Sequence, residues 1–339
     1  MISPGRLSIL IFFVSASLGA AVATSEDPKI NDWLNRIDRS SEKGDFDVVL
    51  DLRTRLADYA VAAGRYELAA RQYELLLATR PGRRDRVRFF TQLGKMRMRL
   101  QDYSRAIASF DDALHDSPND WEANLARARA FTAIDLNQRA IESYLRCIRL
   151  KPGEERPYEE LGQVYERQGF LGKALLRYQQ ALAREPKSEV YLHMADCYVH
   201  LNNMTQAIQV LEQAKSQIPS ADYDVRLGEI YQSLGDAVHS GAAWEAALKA
   251  DPRRDDVRLK LTLIYDQLHR EADTDRLFKQ LLSSYPESPL VHYFRALVFL
   301  ERGQKEAARE EALLVEHLSP TEAVAHYTDL LLSQLRKPS

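Results

Sequence analysis

The stretch Glu155–Ser188 reads ERPYEELGQVYERQGFLGKALLRYQQALAREPKS, and it decides the fold. Apolar or small residues recur at i, i+3, i+4 and i+7 in its first half, as on the buried face of a helix, and again in its second half. The pattern predicts helix A over 157–168, a turn at Gly169 and helix B over 171–184, ended by Pro186. Neither helix can bury its apolar face alone, so this helical pair needs a neighbour.

The same pattern recurs along the chain with a period of 33 to 37 residues, and a proline ends each copy. A proline follows each predicted helix B because it lacks the N–H that would continue the helix. The eight prolines at this phase are Pro81, Pro118, Pro152, Pro186, Pro219, Pro252, Pro286 and Pro320. A fixed period of this length indicates a repeat architecture.

Two positions counted back from each proline predict close packing of the two helices in a pair. Twelve residues before the proline stands a small side chain: Ala69, Ala106, Ala140, Ala174, Ala207, Ser240, Thr274 and Ala308. Eight residues before it stands a large one in seven copies: Tyr73, Phe110, Tyr144, Tyr178, Leu211, Trp244 and Phe278. Glycines at four of the predicted A–B turns favour a tight turn with positive φ.

This helix–turn–helix unit of 34 residues resembles the tetratricopeptide repeat (TPR) family. The resemblance covers eight repeats and implies an all-α fold, a right-handed α-solenoid in which successive A helices line a concave groove. The sequence departs from the family pattern at Arg127 and Arg295, where a buried leucine is usual, and at Arg97, which replaces an aromatic residue. Thr54 and Asp58 occupy places where chaperone adaptors of the family hold a peptide carboxylate with Lys and Asn, so that activity is not expected here.

The repeats divide the chain into a leader, an array and two terminal helices. Residues 1–23 combine Arg6, an apolar stretch and a small-x-small site, which is typical of a secretory signal peptide. The sequence therefore predicts a signal over 1–23, an N-terminal cap helix within 24–49 and eight repeats over 50–320, with a C-terminal cap helix and tail over 321–339. The predicted repeat starts are near residues 50, 87, 121, 155, 188, 221, 255 and 289.

Export to the periplasm or outside the cell is the favoured location; an uncleaved signal anchor, or the endoplasmic reticulum lumen, is the alternative. After cleavage no segment approaches the length of a membrane span. The formal net charge is -3, so nothing global indicates nucleic acid as a partner. The two cysteines, Cys147 and Cys197, fall in repeats that are not neighbours, which favours two buried free thiols over a disulfide.

Charged residues at the groove positions predict a surface that is basic at one end and acidic in the middle. The groove positions are places 2, 5, 6, 9, 12 and 13 of each repeat. They include the basic Arg88, Lys95, Arg99 and Arg129, and the acidic or polar Glu159, Glu160, Gln163, Glu166, Asp196 and Glu229. Such a polarity could orient a bound peptide. Ordinary solvated helix faces are the alternative.

An insertion between the first two repeats reads RPGRRDRVR and predicts an arginine-rich loop, with Arg80, Arg83, Arg84 and Arg86 followed by Arg88. Guanidinium groups match phosphate and carboxylate geometry, so this loop could bind an anionic partner; a solvated loop is the alternative. The A helix of the eighth repeat presents an apolar patch that includes Tyr293, Leu297 and Leu300. We expect the C-terminal helix to cover it; an exposed patch for a partner or a second copy of the chain is the alternative.

Catalytic and metal-binding motifs are missing from the sequence, which predicts no enzyme activity, cofactor or metal. His193, Asp196, Cys197 and His200 share one helix face, but the two histidines lie about 10 Å apart along the helix, too far to share one ion. The favoured function is an exported, non-enzymatic scaffold that grips a protein segment in its groove, in the assembly of an envelope or export complex. The alternative is an accessory protein of polysaccharide or glycan handling that uses the arginine loop.

Overall fold

A computed structural model describes residues 27–318 and 320–335, and the predicted signal peptide lies outside them. The described residues form eighteen α-helices and no strand. The chain divides into two compact bodies, an N-terminal body that ends at Glu185 and a C-terminal body that begins at Pro186. The all-α repeat fold predicted from the sequence is confirmed.

The N-terminal body holds one terminal helix and four helical pairs, in which an A helix precedes each B helix. The helices are α1 (Pro28–Lys43), α2 (Phe46–Ala62), α3 (Tyr66–Ala78), α4 (Arg83–Arg99), α5 (Tyr103–Asp116), α6 (Trp121–Ala133), α7 (Asn137–Leu150), α8 (Arg156–Arg167) and α9 (Leu171–Leu182).

The C-terminal body holds four further pairs and a final helix. Its helices are α10 (Ser188–His200), α11 (Met204–Gln217), α12 (Ala221–Ser233), α13 (Ala237–Ala250), α14 (Asp255–Gln267), α15 (Glu271–Ser284), α16 (Pro289–Glu301), α17 (Lys305–His317) and α18 (Glu322–Leu335). Helix A of repeats 3 to 8 begins within one residue of the predicted start.

The first two A helices begin about one turn earlier than the sequence predicted. Helix α2 starts at Phe46 and α4 at Arg83, and each has 17 residues. The prediction of an arginine-rich loop between repeats 1 and 2 is therefore wrong over most of its length. Residues 79–82 make the connection, and the arginines from Arg83 onward, which are good helix formers, extend α4.

The small and large residues at the two places counted back from the prolines are buried in the structure. All eight small residues twelve places before the prolines are fully buried. The large residues eight places before them are buried as well, in all seven repeats that have one. These buried side chains let the A and B helices of one repeat approach closely.

All eight A–B turns pass through the left-handed region at the same place. Glycine occupies it in four repeats, with φ between 70° and 76° at Gly64, Gly169, Gly235 and Gly303. Gln101, Asp135, Asn202 and His269 take the same role with φ between 54° and 59°. The four glycines indicated the turn, but the non-glycine residues gave no such signal because left-handed φ is uncommon for them.

Helices α1 and α18 occupy the stretches in which the sequence predicts terminal helices. Ile30 and Ile37 of α1 are buried against apolar residues of α2. The Asp27 carboxylate caps α1 by accepting from the N–H of Lys29 at 2.9 Å, and it accepts from the Tyr59 hydroxyl at 2.8 Å. The start of α1 is thereby attached to α2.

Candidate functional site

Successive A helices contact one another in both bodies, for example α4 with α6 and α10 with α12. We call the side formed by the groove positions of these helices the A face. Most of the charged residues that the sequence predicted as groove residues lie here, on α4, α6 and α8 in one body and on α10 and α12 in the other.

In the N-terminal body, opposite charges on neighbouring A helices pair across the A face. Lys95 of α4 forms an ion pair with Glu122 of α6. The Nε of Arg129 on α6 donates to both carboxylate oxygens of Glu160 on α8, at 2.9 Å to Oε2 and at 3.1 Å to Oε1. The hydrogen bond to Glu160 raises the pKa of the Arg129 guanidinium. Each pair joins one repeat to the next.

Buried tyrosines of the B helices donate to carboxylates on the same face. The Tyr144 hydroxyl donates to Oε2 of Glu160 at 3.0 Å, and the Tyr178 hydroxyl donates to Oε2 of Glu166 at 2.5 Å. Burial raises the pKa of Tyr144, and the charge of Glu160 raises it further, so this hydroxyl remains a donor at neutral pH. These bonds fix the direction in which the A-face carboxylates point.

In the C-terminal body, four charges form a continuous chain across three A helices. Arg226 of α12 lies 2.6 Å from Asp196 of α10 and 2.9 Å from Glu229, and Lys260 of α14 donates to Glu229 at 2.6 Å. Burial alone would raise the pKa of Glu229, but the hydrogen bonds from Lys260 and Arg226 outweigh it and hold that pKa below its ordinary value. Asp196 and Glu229 are thus compensated within the protein.

The paired charges leave little of the polarity that the sequence predicted. Lys95 and Arg129 face carboxylates, while Asp196 and Glu229 face cations. Sequence reasoning missed two partners, Glu122 and Lys260, although they occupy places 2 and 6 of their repeats. The available signal was opposite charge at A-face places of adjacent repeats, 27 to 31 residues apart.

Three predicted A-face residues, Arg88, Arg99 and Gln163, have no side-chain hydrogen bond or ion pair to other described residues. Arg88 contacts the ring of Phe89 instead, with its guanidinium carbon 4.9 Å from the ring centre. Arg88 and Arg99 are exposed, and Gln163 is half-buried on α8. These side chains can receive a ligand without first breaking a hydrogen bond or an ion pair to another described residue.

The arginine segment has partly structural roles. Arg86 binds the Asp116 carboxylate through two nitrogens, and the Nε of Arg83 donates to the Asp116 carbonyl at 2.7 Å. The hydrogen bond from Arg86 lowers the pKa of Asp116. Both arginines therefore attach the start of α4 to the end of α5, whereas Arg80 lies in the turn with φ 53°.

An open cleft of about 730 Å³ lies between the N-terminal half of α4 and the start of α6. Arg84, Arg88 and Gln92 line it on α4, opposite Asp120 and Glu122. Its charges are mixed in sign. The cleft adjoins the Lys95–Glu122 pair and so belongs to the A face.

The C-terminal helix packs against the apolar patch of the eighth repeat. Tyr293, Leu297 and Leu300 pack against a cluster that includes Leu331 and Leu332 of α18. This patch is therefore part of the core of the C-terminal body.

Both cysteines are buried, and they form no disulfide within the described residues. Burial raises the pKa of the Cys147 thiol to about 12, so it remains protonated at neutral pH. No group of three or more metal-ligating side chains occurs within 27–318 and 320–335. In these same ranges no helix is long and apolar enough to cross a membrane.

Comparison with known proteins gives a family model, described as tetratricopeptide repeat, that matches residues 91–155, 159–222 and 275–332. These segments make up more than half of the chain. The chain belongs to the tetratricopeptide repeat family. It is accordingly a TPR protein-interaction scaffold, built from the helical pairs described above.

Among curated proteins, this TPR chain is 25% identical over 139 residues to Hsp70-Hsp90 organizing protein 3 of Arabidopsis thaliana. The match covers 41% of this chain and spans about a quarter, 24%, of the length of that relative.

Solved structures similar to this TPR chain include MamA, with 24% identity and a TM-score of 0.46 over 49% of this chain and 90% of MamA. A tetratricopeptide repeat protein from Parabacteroides merdae has 15% identity and a TM-score of 0.48 over 75% of this chain and all of its own. PilW, described as a type IV pilus biogenesis factor, has 22% identity and a TM-score of 0.45 over 60% of this chain and 94% of PilW.

Proposed function

We propose that this protein is an exported, non-enzymatic scaffold that binds a segment of another protein along the A face of its N-terminal body. Binding there would serve the assembly of an envelope or export complex. The observation that carries the proposal is a row of polar side chains on α4, α6 and α8 that intramolecular pairs hold in place, beside three side chains without such a pair.

Preorganisation makes this surface suited to binding. Glu160 and Arg129 are already ordered by each other and by Tyr144, so contact with a partner orders few further side chains. Ordering one long side chain at an interface costs about 0.5–1.5 kcal/mol, and this cost is largely avoided here. The A face thus offers fixed hydrogen-bonding groups to an incoming chain.

Gln163 is the residue best placed to bind a peptide backbone. Its amide both donates and accepts, which matches the N–H and C=O groups of an extended segment. Arg88 and Arg99 both lie on α4, at one end of the row formed by α4, α6 and α8. They would favour a partner segment that carries acidic residues at the matching end. Lys95 and Arg129 add less, since Glu122 and Glu160 compensate them.

Photo-crosslinking tests where the partner binds. A photoreactive amino acid replaces Gln163 of α8 in one variant and the exposed Gln179 of α9 in a matched control. We expect a crosslink to a protein from position 163 and none of the same mass from position 179. When Arg88→Gln and Arg99→Gln are added to the position-163 variant, the yield of that crosslink should fall. Crosslinks from 179 alone, or equal products from both, would contradict binding at the A face.

The export part of the proposal rests on residues 1–23. Full-length and 1–23-deleted chains with the same C-terminal tag are compared by fractionation and intact mass. We expect the full-length chain outside the cytoplasm with its first 23 residues removed, and the deleted chain inside. An exported chain of full mass would instead indicate the membrane-tethered alternative.

A further inference from the structure

The N-terminal body has a second cleft, of about 380 Å³, and none of the residues that line it holds an A-face place. It is formed by α5, α6 and α7, and we call it the B-side cleft. Four arginines and two carboxylates line it together with a phenylalanine and a serine: Arg127, Arg139, Arg146, Arg149, Asp111, Glu142, Phe131 and Ser143. No part of the proposed function uses it.

The arginines of this cleft are only partly paired. Arg127 donates to Asp111 at 2.6 Å, but its Nε is buried without a hydrogen-bond partner among the described residues. Arg146 reaches only the Asn119 side-chain oxygen, at 3.2 Å. Arg139 and Arg149 are exposed and have no ion pair with a described residue. Four cations against two anions leave an excess of positive charge.

Comparison of the eight repeats shows that this cluster is specific to the third. The place of Arg127 is taken by Leu or Met in six other repeats, and these side chains are buried: Leu56, Leu93, Leu161, Met194, Leu227 and Leu261. Arg295 is the other exception. No other repeat has arginine at all three α7 places. A cation at a core position breaks the local packing rule, and such departures concentrate at functional sites.

Phe131 forms an apolar floor between two of the guanidinium groups. The guanidinium carbons of Arg127 and Arg139 each lie 5.8 Å from the centre of its ring. The ring restricts where these two side chains can lie.

We propose that the B-side cleft binds a phosphate group. A phosphate monoester carries about -1.5 to -2 charges at pH 7, which matches the positive excess of the cleft. Arginine forks bind phosphate oxygens through two parallel N–H bonds, and the exposed guanidinium groups of Arg139 and Arg149 supply such donors. The phosphate can belong to a small phosphate ester or to a phosphorylated side chain of a partner protein.

Isothermal titration calorimetry with pyrophosphate at low salt, on the chain without residues 1–23, tests this site. We expect saturable binding at one site per chain, weakened about tenfold or more by Arg139→Gln, since each charge-assisted fork is worth about that much. Arg105→Gln is the matched control and should leave binding unchanged. Arg105 occupies the place of Arg139 in the second repeat and is highly exposed, with Asp102 as its partner.

Arg127→Leu separates binding from folding. It restores the residue type of the other repeats, so the thermal midpoint should stay the same or rise while pyrophosphate binding is lost. Titrations with free phosphoserine and with a phosphoserine peptide distinguish the two sources of phosphate. Tighter binding of free phosphoserine indicates a small phosphate ester, and tighter binding of the peptide indicates a phosphorylated side chain of a partner protein. Absence of saturable heat with all three probes at about 5 mM, or equal binding by Arg127→Leu and the unchanged protein, would overturn the proposal.

Discussion

At the scale of single residues, three glycines let an aromatic ring of helix B lie directly against helix A. A Cβ built on Gly94, Gly162 or Gly228 would lie 2.4, 2.5 or 2.2 Å from the ring of Phe110, Tyr178 or Trp244. No real Cβ approaches a ring atom that closely. Repeat 3 has Ala128 opposite Tyr144 at the same place, so that repeat leaves space for a methyl group.

Gly162→Ala should therefore destabilise the protein although alanine is the better helix former. Tyr178 is fully buried and its hydroxyl is held by Glu166, so the ring cannot move away freely. We expect a loss of about 1–3 kcal/mol in the free energy of unfolding, as for other overpacked cores. Urea unfolding followed by circular dichroism measures it.

Gly172→Ala in α9 is the control for this substitution. No atom lies within 4 Å of the Cβ that alanine would add, and α9 is helical at this residue. Here the change should leave stability the same or raise it by up to about 1 kcal/mol. A similar loss at both glycines would mean that the Tyr178 ring is not the cause.

At the scale of helices, the ion pairs of the A face act as ties between neighbouring A helices. Glu229 is the clearest case, because it accepts hydrogen bonds from Arg226 on its own helix and from Lys260 on α14, the next A helix. Its pKa is lowered in the folded protein despite the opposing effect of burial. The charged form of Glu229 thus contributes to stability above its ordinary pKa of 4.5, and this contribution is lost as the pH falls through the lower, folded value.

Glu229→Gln should consequently lower the free energy of unfolding by roughly 1 kcal/mol at pH 7, a modest amount because the pair is partly solvated. The difference from the unchanged protein should shrink as the pH falls from 4.5 through the lower, folded pKa of Glu229, below which this side chain is neutral like glutamine. Denaturant unfolding at a series of pH values measures this. Glu212→Gln is the control, since its side chain is about half exposed and lies 3.8 Å from Lys215; a pH-independent deficit for Glu229→Gln would refute the assignment.

At the scale of the whole molecule, the terminal helices close rows of repeats that contact only their neighbours. In the C-terminal body, α18 covers Tyr293, Leu297 and Leu300 with one face, while Tyr327 and Leu330 on its other face stay exposed. Stability in such repeat arrays is close to a sum of repeat and interface terms, so damage at one end remains local.

Leu331→Ala and Leu330→Ala test this closure with adjacent leucines of α18. Leu331 is 4% exposed and Leu330 is 52% exposed. Truncation of the buried one should cost about 2–4 kcal/mol locally, and truncation of the exposed one less than about 0.5 kcal/mol. Hydrogen exchange should accelerate in α16 to α18 for Leu331→Ala and stay unchanged in α4 to α6. Faster exchange throughout the chain would contradict local closure.

The fold could be predicted from the sequence because its determinants repeat. Ala174 and Tyr178 have counterparts at the same phase in the other repeats, so eight copies of one weak pattern gave a strong signal. The start of α4 was missed because the predicted insertion interrupts this phase. The A face could be predicted only as a set of places, because whether Arg129 faces solvent or Glu160 depends on how two repeats stack, which periodicity does not specify.

The pairing of charges on the A face also decides what another molecule experiences before it touches the surface. Opposite charges in direct contact cancel at distances beyond the Debye length of about 10 Å. Rows of such pairs create no field that attracts a diffusing partner from afar. Encounter rates at the A face of the N-terminal body should then depend on ionic strength mainly through the unpaired Arg88 and Arg99. The paired charges would discriminate among partners after collision, through the lifetime of each complex.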